Sequence, residues 1–253
     1  MKLRKLLLGV AAAGLCTLPT VASAQLIEEW DYSVVANWAN WEPSDAVTNF
    51  VDGNEDVLEW GTPTTGGQSN LRVTRELDGT IVTNSATGGA GATITHNNFP
   101  LVTGPSLEST DLQIDVEFTP AGGGAGEGFL QTFFIDFEET LNEEPCLENS
   151  ISVCDDIFIL QNPEELAVEF IRDNFLYTAT LTFGEFAGGQ IFFDDIDGDG
   201  DAELYFLTQE NLTSVLETRI LITAQQIPEP GALALLGAGV VGLGFAARRR
   251  RKA

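Results

Sequence analysis

The sequence predicts an all-β protein: a two-sheet antiparallel β-sandwich of the jelly-roll type, with an N-terminal signal peptide and one C-terminal transmembrane helix. Apolar and polar residues alternate with a period of two over residues 112–118, as in a strand with one buried and one solvated face. About ten short segments of this kind are separated by turns rich in Gly, Asn and Asp. Both ends of the chain carry an apolar stretch.

Residues 1–24 have the pattern of a secretory signal peptide. The start carries three basic residues, residues 6–15 are apolar, and the small residues Ala-Ser-Ala at 22–24 precede a cleavage site before Gln25. This order of charged, apolar and small residues is the pattern that signal peptidase cuts. The protein is therefore predicted to be exported by the general secretion machinery.

The predicted ectodomain covers residues 25–226 and is long enough to bury the core of one domain. Strands are predicted at 57–60, 71–74, 93–95, 112–118, 129–137, 156–160, 167–171, 176–183, 191–193, 204–208 and 216–223. Turns are predicted at 52–54, 78–79, 88–91, 122–128 and 188–189. Many short strands joined by such turns favour a sandwich. Trp30, Trp38, Trp41 and the phenylalanines are expected to fill its core.

The charge of the chain is strongly asymmetric. All 38 acidic residues lie within residues 25–230, together with only four arginines and no lysine. Such a surface repels nucleic acid and anionic lipid and attracts cations. The composition therefore excludes a nucleic-acid partner.

The C-terminal end has three parts in a fixed order. Pro228, Glu229 and Pro230 come first, and residues 231–247 follow without a charge. Seventeen residues at about 1.5 Å each reach roughly 26 Å, which is enough for a helix to cross the apolar part of a bilayer. The basic residues that follow are Arg248, Arg249, Arg250, Arg251 and Lys252. A basic run is expected to stay on the cytoplasmic side, which places the ectodomain and the N-terminus outside.

This tripartite end, residues 227–253, resembles the PEP-CTERM sorting signal of bacterial exported proteins. The resemblance implies an exosortase-type processing enzyme as a partner. Such an enzyme cleaves near the motif, so the precursor passes from the inner membrane to the cell surface or the extracellular matrix. The alternative is a plain single-pass anchor that is never cut.

Two cysteines remain outside the signal peptide, Cys146 and Cys154, with seven residues between them. Disulfides persist in exported proteins, so a small local disulfide is predicted. A zinc site is the alternative, although two thiols and one distant His96 give too few ligands.

His96 is the only histidine and lies in Thr95-His96-Asn97-Asn98. A lone histidine among polar residues at a strand end usually forms structural hydrogen bonds and is seldom a catalyst. The motif positions Thr95, His96 and Asn98 nevertheless resemble those of the THxN family of PEP-CTERM proteins, which overlaps the choice-of-anchor K domains. Further segments that fit the resemblance are Trp60-Gly61-Thr62-Pro63, Ser69-Asn70-Leu71, residues 136–142, Cys154-Asp155-Asp156 and Glu210-Asn211. The resemblance covers residues 60–224 and implies an export route and a fold unit, with no reaction attached.

An acidic loop predicts a calcium site. Its acidic positions are Asp195, Asp197, Asp199, Asp201 and Glu203. Carboxylates at alternate positions around glycines can converge on one hard cation, and the first part matches D-x-D-x-D-G. The twelfth position, where a helix-flanked loop has its bidentate Glu, is Phe206, so the interpretation is a structural Ca²⁺ loop between strands. The alternative is an acidic hairpin turn with solvated aspartates.

Together these features predict a non-enzymatic exported protein of the cell surface or extracellular matrix, stabilised by Ca²⁺ and associated with exopolysaccharide. No G-x-S-x-G elbow is present to accompany the single histidine. The alternative is a secreted carbohydrate-active hydrolase that uses two carboxyl groups on a concave sheet face.

Overall fold

The computed structural model describes residues 25–228, except residues 65, 103, 141–145, 147–148, 153 and 195–202. The predicted signal peptide and the predicted membrane helix at 231–247 lie outside the described residues. Among the residues that are described, no helix has the length and apolar character needed to cross a membrane.

Antiparallel strands make up most of the described chain, with one short 3₁₀ helix at Pro163–Leu166. The strands are β1 (Glu29–Glu42), β2 (Val47–Asp52), β3 (Glu55–Trp60), β4 (Thr62–Pro63), β5 (Ser69–Thr74), β6 (Glu76–Val82), β7 (Gly89–Ala90), β8 (Ile94–Asn97), β9 (Leu101–Val102), β10 (Ser109–Pro120), β11 (Glu127–Glu138), β12 (Asp156–Leu160), β13 (Ala167–Arg172), β14 (Phe175–Ala187), β15 (Gly189–Asp194), β16 (Glu203–Thr208) and β17 (Thr213–Gln226).

Two large sheets form the sandwich. The first has seven strands in the order β15-β16-β12-β11-β10-β1-β6. The second has eight strands, seven of them in the order β13-β14-β17-β8-β5-β3-β2, with β7 added on β17. Strands β4 and β9 form a separate two-stranded ribbon. The prediction of an antiparallel all-β sandwich is confirmed.

Strand β1 is the largest element that the sequence prediction omits. Its buried residues alternate with exposed ones, and Trp30, Tyr32, Val34 and Ala36 all point into the core. The period-2 rule finds this strand once the tryptophan, tyrosine and alanine positions are counted as apolar. β1 pairs with β10 on one side and β6 on the other, so it is an interior strand of the first sheet.

The core forms between the two sheets. Trp30 of the first sheet is fully buried and meets Phe170 and Tyr177 of the second sheet edge-on, with ring centroids 5.6 and 5.2 Å apart. Trp38 is buried as predicted, whereas Trp41 is only half-buried against the core. Aromatic rings that interdigitate between two sheets supply most of the buried apolar area of such a sandwich.

The sandwich has two distinct ends, which we call the terminal and the distal end. At the terminal end β17 finishes at Gln226, and the Asn174 side chain holds the next residue, since its Nδ2 donates to the Ile227 carbonyl at 2.9 Å. At the distal end β17 begins at Thr213, paired with Asn97. Fourteen residues of strand at about 3.3 Å each separate the two ends by about 45 Å.

Candidate functional site

Three carboxylates meet at the distal end of the sandwich and form what we call the acidic cluster: Glu139, Asp156 and Glu210. One ligand atom of each lies within 4.8 Å of those of the other two. Glu139 follows the last residue of β11, Asp156 opens β12, and Glu210 lies just after β16. The pairing of β12 with both β11 and β16 brings these chain segments together.

The cluster is largely enclosed. Asp156 has no exposed surface, Glu210 is 9% exposed, and Glu139 is half-buried. The Trp60 Nε1–H donates to Glu139 Oε2 at 3.0 Å. The Thr140 backbone N–H donates to Asp156 Oδ1 at 2.9 Å. Asp156 Oδ2 is buried without a hydrogen-bond partner among the described residues, which is costly for an ionised oxygen.

Burial makes ionisation of this cluster difficult. Burial raises the pKa of Asp156 well above its ordinary value, and the charge of Glu139 raises it further. Burial and, to a lesser degree, the charge of Glu210 raise the pKa of Glu139 to about 7, against the hydrogen bond from Trp60. Like charges in an enclosed space disfavour each other's ionised form. Without a compensating cation, Glu139 is therefore partly protonated at neutral pH.

Two other buried aspartates that the structure describes are hydrogen-bonded on both carboxylate oxygens. Asp155, beside Asp156 in the chain, accepts from the backbone N–H groups of Ile151 and Ser152 at 2.9 and 3.0 Å and from the Ser152 hydroxyl. Asp56 accepts from the Trp38 backbone N–H at 2.7 Å and from an asparagine side chain. These two carboxylates hold neighbouring chain segments together through hydrogen bonds. Asp156 differs from both because only one of its oxygens has a hydrogen-bond partner among the described residues.

His96 lies beside the acidic cluster, buried among aromatic rings. Its side chain is buried, its Nδ1 lies 2.9 Å from Thr208 Oγ1, and its ring stacks on Trp60 with centroids 5.7 Å apart. Burial lowers the pKa of His96 to about 3, so the ring is neutral at physiological pH. His96 Nε2 has no hydrogen-bond partner among the described residues, and the role of His96 stays a prediction.

The other positions of the Thr-His-x-Asn motif occupy different environments. Thr95 is half-buried in β8, opposite Arg72 and Val215. Asn98 is 1% exposed, and its backbone N–H donates to the Leu212 carbonyl at 3.1 Å. Neither polar atom of the Asn98 side chain has a hydrogen-bond partner among the described residues.

Cys146 and Cys154 form a disulfide, as the sequence predicts, with their Cα atoms 4.7 Å apart. The bridge closes the loop that leads directly into Asp155 and Asp156. The Thr140 hydroxyl donates to the Cys154 carbonyl and so joins this loop to the end of β11. The disulfide therefore stabilises one wall of the acidic cluster.

Reduction of this disulfide is expected to lower the free energy of unfolding by about 2 kcal/mol, because the loop that the unfolded chain regains is short. Urea denaturation with and without dithiothreitol measures the change, and the Cys146→Ser/Cys154→Ser variant is the matched control. Equal stability of the oxidised and reduced forms would contradict the prediction.

The predicted calcium loop lies mostly outside the described residues: of its five acidic positions, only Glu203 is described. The structure confirms the strands predicted on both sides of it, since Asp194 at the end of β15 pairs with Glu203 at the start of β16. Residues 195–202 therefore connect two antiparallel strands. Calcium binding by the aspartates stays a prediction.

A cavity of about 70 Å³ lies between the sheets. Its lining is almost entirely apolar, with His96, Thr208, Ser214 and Thr218 as the polar exceptions, and no Asp or Glu contributes to it. The three acids of the cluster therefore do not line this cavity.

The sequence analysis named the members of the acidic cluster only as parts of segments that resemble the THxN family, and it did not group them as a site. Glu139, Asp156, Glu210 and Trp60 stand in four of the segments quoted for it, and the structure brings these four side chains to one place. The spacing along the chain, from residue 60 to residue 210, gives no sign of this convergence. The burial of these acids, which the sequence does not show, is what distinguishes them from the exposed acids of the chain.

The family model of the PEP-CTERM protein-sorting motif matches residues 226–251, which confirms the predicted signal at the end of the chain. A search of the curated proteins gives no match. The narrower assignment to the THxN family or the choice-of-anchor K type stays a prediction.

Proposed function

We propose that this chain is a non-enzymatic structural protein of the bacterial cell surface or extracellular matrix, delivered there by its C-terminal signal. The match at residues 226–251 carries the proposal, because a PEP-CTERM motif marks an exported, exosortase-sorted protein with a membrane-anchored precursor. The non-enzymatic role, the final location in the matrix and the loss of the anchor are the parts that we add.

The geometry of the domain supports a role as a displayed module. The matched signal begins at Gln226, the last residue of β17, so no linker separates the sandwich from the signal. The Ile227 N–H donates to the Asn174 carbonyl at 2.9 Å, which fixes where the chain leaves the domain. The start of β1 lies at the same end. The Thr83 N–H donates to the Glu28 carbonyl at 2.8 Å, and the side-chain oxygen of the next residue, Asn84, accepts from the Ala224 N–H of β17. The distal end therefore faces away from the attachment point.

The burial of the clustered acids argues against the hydrolase alternative. A glycosidase needs two carboxyl groups that flank a bound sugar ring. Asp156 is fully buried and Glu210 nearly so, and no carboxylate lines the cavity of about 70 Å³ between the sheets. A sugar cannot reach these carboxylates without opening the distal end, so we favour binding and structure over catalysis.

Ca²⁺ bound by the loop at residues 195–203 and association with exopolysaccharide belong to the same proposal. The support is the excess of acidic residues, which concentrates divalent cations at the surface. An acidic polysaccharide would share those cations with the protein. The exposed Phe134 and Leu130 on the outer face of β11 offer apolar contact area to such a polymer.

The intact mass of the protein from its native host tests the sorting proposal. We expect a matrix form that begins at Gln25 and ends near Pro230. Replacing Pro228, Glu229 and Pro230 by alanine should abolish that form, because the processing enzyme loses its motif, and should leave a membrane-bound precursor. Glu217→Ala, an exposed acid on β17, is the matched control and should be sorted normally.

A membrane form that keeps residues 248–253 as the only species of the natural sequence would contradict the proposal. In that case the C-terminal segment is an uncut anchor. Equal processing of the triple-alanine variant and the natural sequence would also count against recognition of the motif.

A further inference from the structure

We propose that Glu139, Asp156 and Glu210 form a binding site for a divalent cation of the Ca²⁺ type at the distal end of the sandwich. This site is separate from the predicted loop at residues 195–203. The proposal does not depend on how the protein is sorted.

The spacing of the three carboxylates fits a single ion. Protein oxygens lie about 2.3–2.6 Å from bound Ca²⁺, so two ligands on one ion are at most about 5 Å apart. The ligand atoms of the cluster satisfy this limit, since all lie within 4.8 Å of one another. Three hard, anionic oxygen donors favour Ca²⁺ over softer transition metals.

The second argument is the free oxygen of a fully buried acid. Asp156 Oδ2 has no hydrogen-bond partner among the described residues, although Asp156 has no exposed surface. Asp56 and Asp155, which are almost equally buried, have donors on both carboxylate oxygens. A domain that satisfies its structural carboxylates so fully leaves one oxygen free where two more acids converge. A bound cation satisfies this oxygen and offsets most of the negative charge of the cluster.

The third argument is that the site is held in place before any ion binds. Trp60 Nε1 fixes one oxygen of Glu139, Thr140 fixes one oxygen of Asp156, and the Ser152 hydroxyl accepts from the Glu210 N–H at 3.0 Å. Each ligand therefore comes from a segment anchored by its own contact. Preorganised ligands lose little conformational entropy on binding.

Asn98 is a candidate for a further oxygen ligand in the same corner. Its side-chain amide is buried and lacks a partner among the described residues, and its backbone contacts Leu212, two residues beyond Glu210. Ca²⁺ takes amide oxygens as well as carboxylates in its coordination shell. The Thr-His-x-Asn motif would then contribute to the site through its last residue.

The experiment uses the full-length protein, stripped with EGTA and then titrated with Ca²⁺. At 100 times the dissociation constant, binding to the folded state should raise Tm by about 5–10 °C. The double variant Asp156→Asn/Glu210→Gln should lose one bound Ca²⁺ per chain. The matched control, Asp197→Asn/Asp199→Asn in the loop, should retain the ion held by the cluster.

Terbium emission gives a second, local readout, because Tb³⁺ takes oxygen ligands like Ca²⁺ and is sensitised by a nearby indole. Trp60 contacts Glu139 directly, so excitation of tryptophan should give strong emission from the natural protein. Trp60→Phe should remove most of it, whereas Trp30→Phe should leave it intact. The Asp156→Asn/Glu210→Gln variant should show little emission.

Folding of the double variant is checked by circular dichroism and urea denaturation in EGTA, where it should be at least as stable as the natural protein because two buried acids are gone. Unchanged Ca²⁺ stoichiometry and Tb³⁺ emission in this variant would overturn the proposal. Loss of all Ca²⁺ binding in the loop variant, or no binding by the natural protein, would overturn it as well. In either case the cluster is a proton-sharing group of buried acids.

Discussion

Replacing Trp60 by alanine is expected to lower the free energy of unfolding by about 3–5 kcal/mol, the largest loss among the changes considered. Trp60 has no exposed surface. Its ring packs on His96 and Phe137, with centroids 5.7 and 5.2 Å away. Its removal leaves a cavity in the core and takes the only N–H donor from Glu139 Oε2 among the described residues. Urea denaturation at pH 7 in EGTA measures the change.

Two conservative variants separate packing from hydrogen bonding. Trp30→Phe and Trp60→Phe each replace a fully buried indole whose N–H donates to a side chain, Thr83 in the first case and Glu139 in the second. Both should lose similar packing energy, but only Trp60→Phe should change the pH dependence of stability. A Trp60→Ala variant as stable as the natural protein would show that the ring does not pack as described.

Replacing Glu139 by glutamine is expected to stabilise the cation-free protein by about 3 kcal/mol at pH 7.5–8. The pKa of Glu139 is raised from 4.5 to about 7, mainly by burial. The folded state therefore holds a proton that the unfolded state releases near pH 4.5, and stability falls as the pH rises through this window. Glutamine keeps the protonated shape without ionising. The gap between the two proteins should be near zero at pH 4.5 and full at pH 7.5–8.

The comparison of two proteins is needed because His96 acts in the opposite direction. Its pKa is lowered to about 3 by burial, so the unfolded state takes up a proton first and stability falls as the pH drops below 6.5. Both proteins contain His96, and its contribution cancels in the difference. Urea denaturation in EGTA from pH 4.5 to 8 gives the curves. Glu138→Gln, at an exposed neighbouring position, is the control, and a Glu139→Gln effect that does not change with pH would contradict the prediction.

Calcium should narrow the stability difference between these two proteins. With Ca²⁺ present, the natural protein gains binding energy that Glu139→Gln forfeits in part, because an amide oxygen carries no net charge. At 100 times the dissociation constant that binding energy is about 2.7 kcal/mol, so the advantage of Glu139→Gln at pH 7.5–8 should shrink. An advantage that Ca²⁺ leaves unchanged would count against Glu139 as a ligand.

The sequence by itself was enough to predict the fold class and the C-terminal sorting signal of the protein. Period-2 alternation with Gly and Asn turns was enough for the antiparallel sandwich, because strand patterning is a local property of the chain. The sorting signal was readable for the same reason, since its three parts follow one another within residues 226–251. The disulfide also needed only two cysteines close in sequence and an exported chain.

The tertiary structure alone decided which of the 38 acidic residues act together. Glu139, Asp156 and Glu210 come from three separate segments, and the register of β12 with β11 and β16 brings them within reach of one another. Burial then makes them unlike the other acids, because an enclosed carboxylate needs donors, a proton or a cation, whereas an exposed one needs only water. Neither long-range register nor burial can be read from local residue patterns, and for that reason the cluster was not predicted.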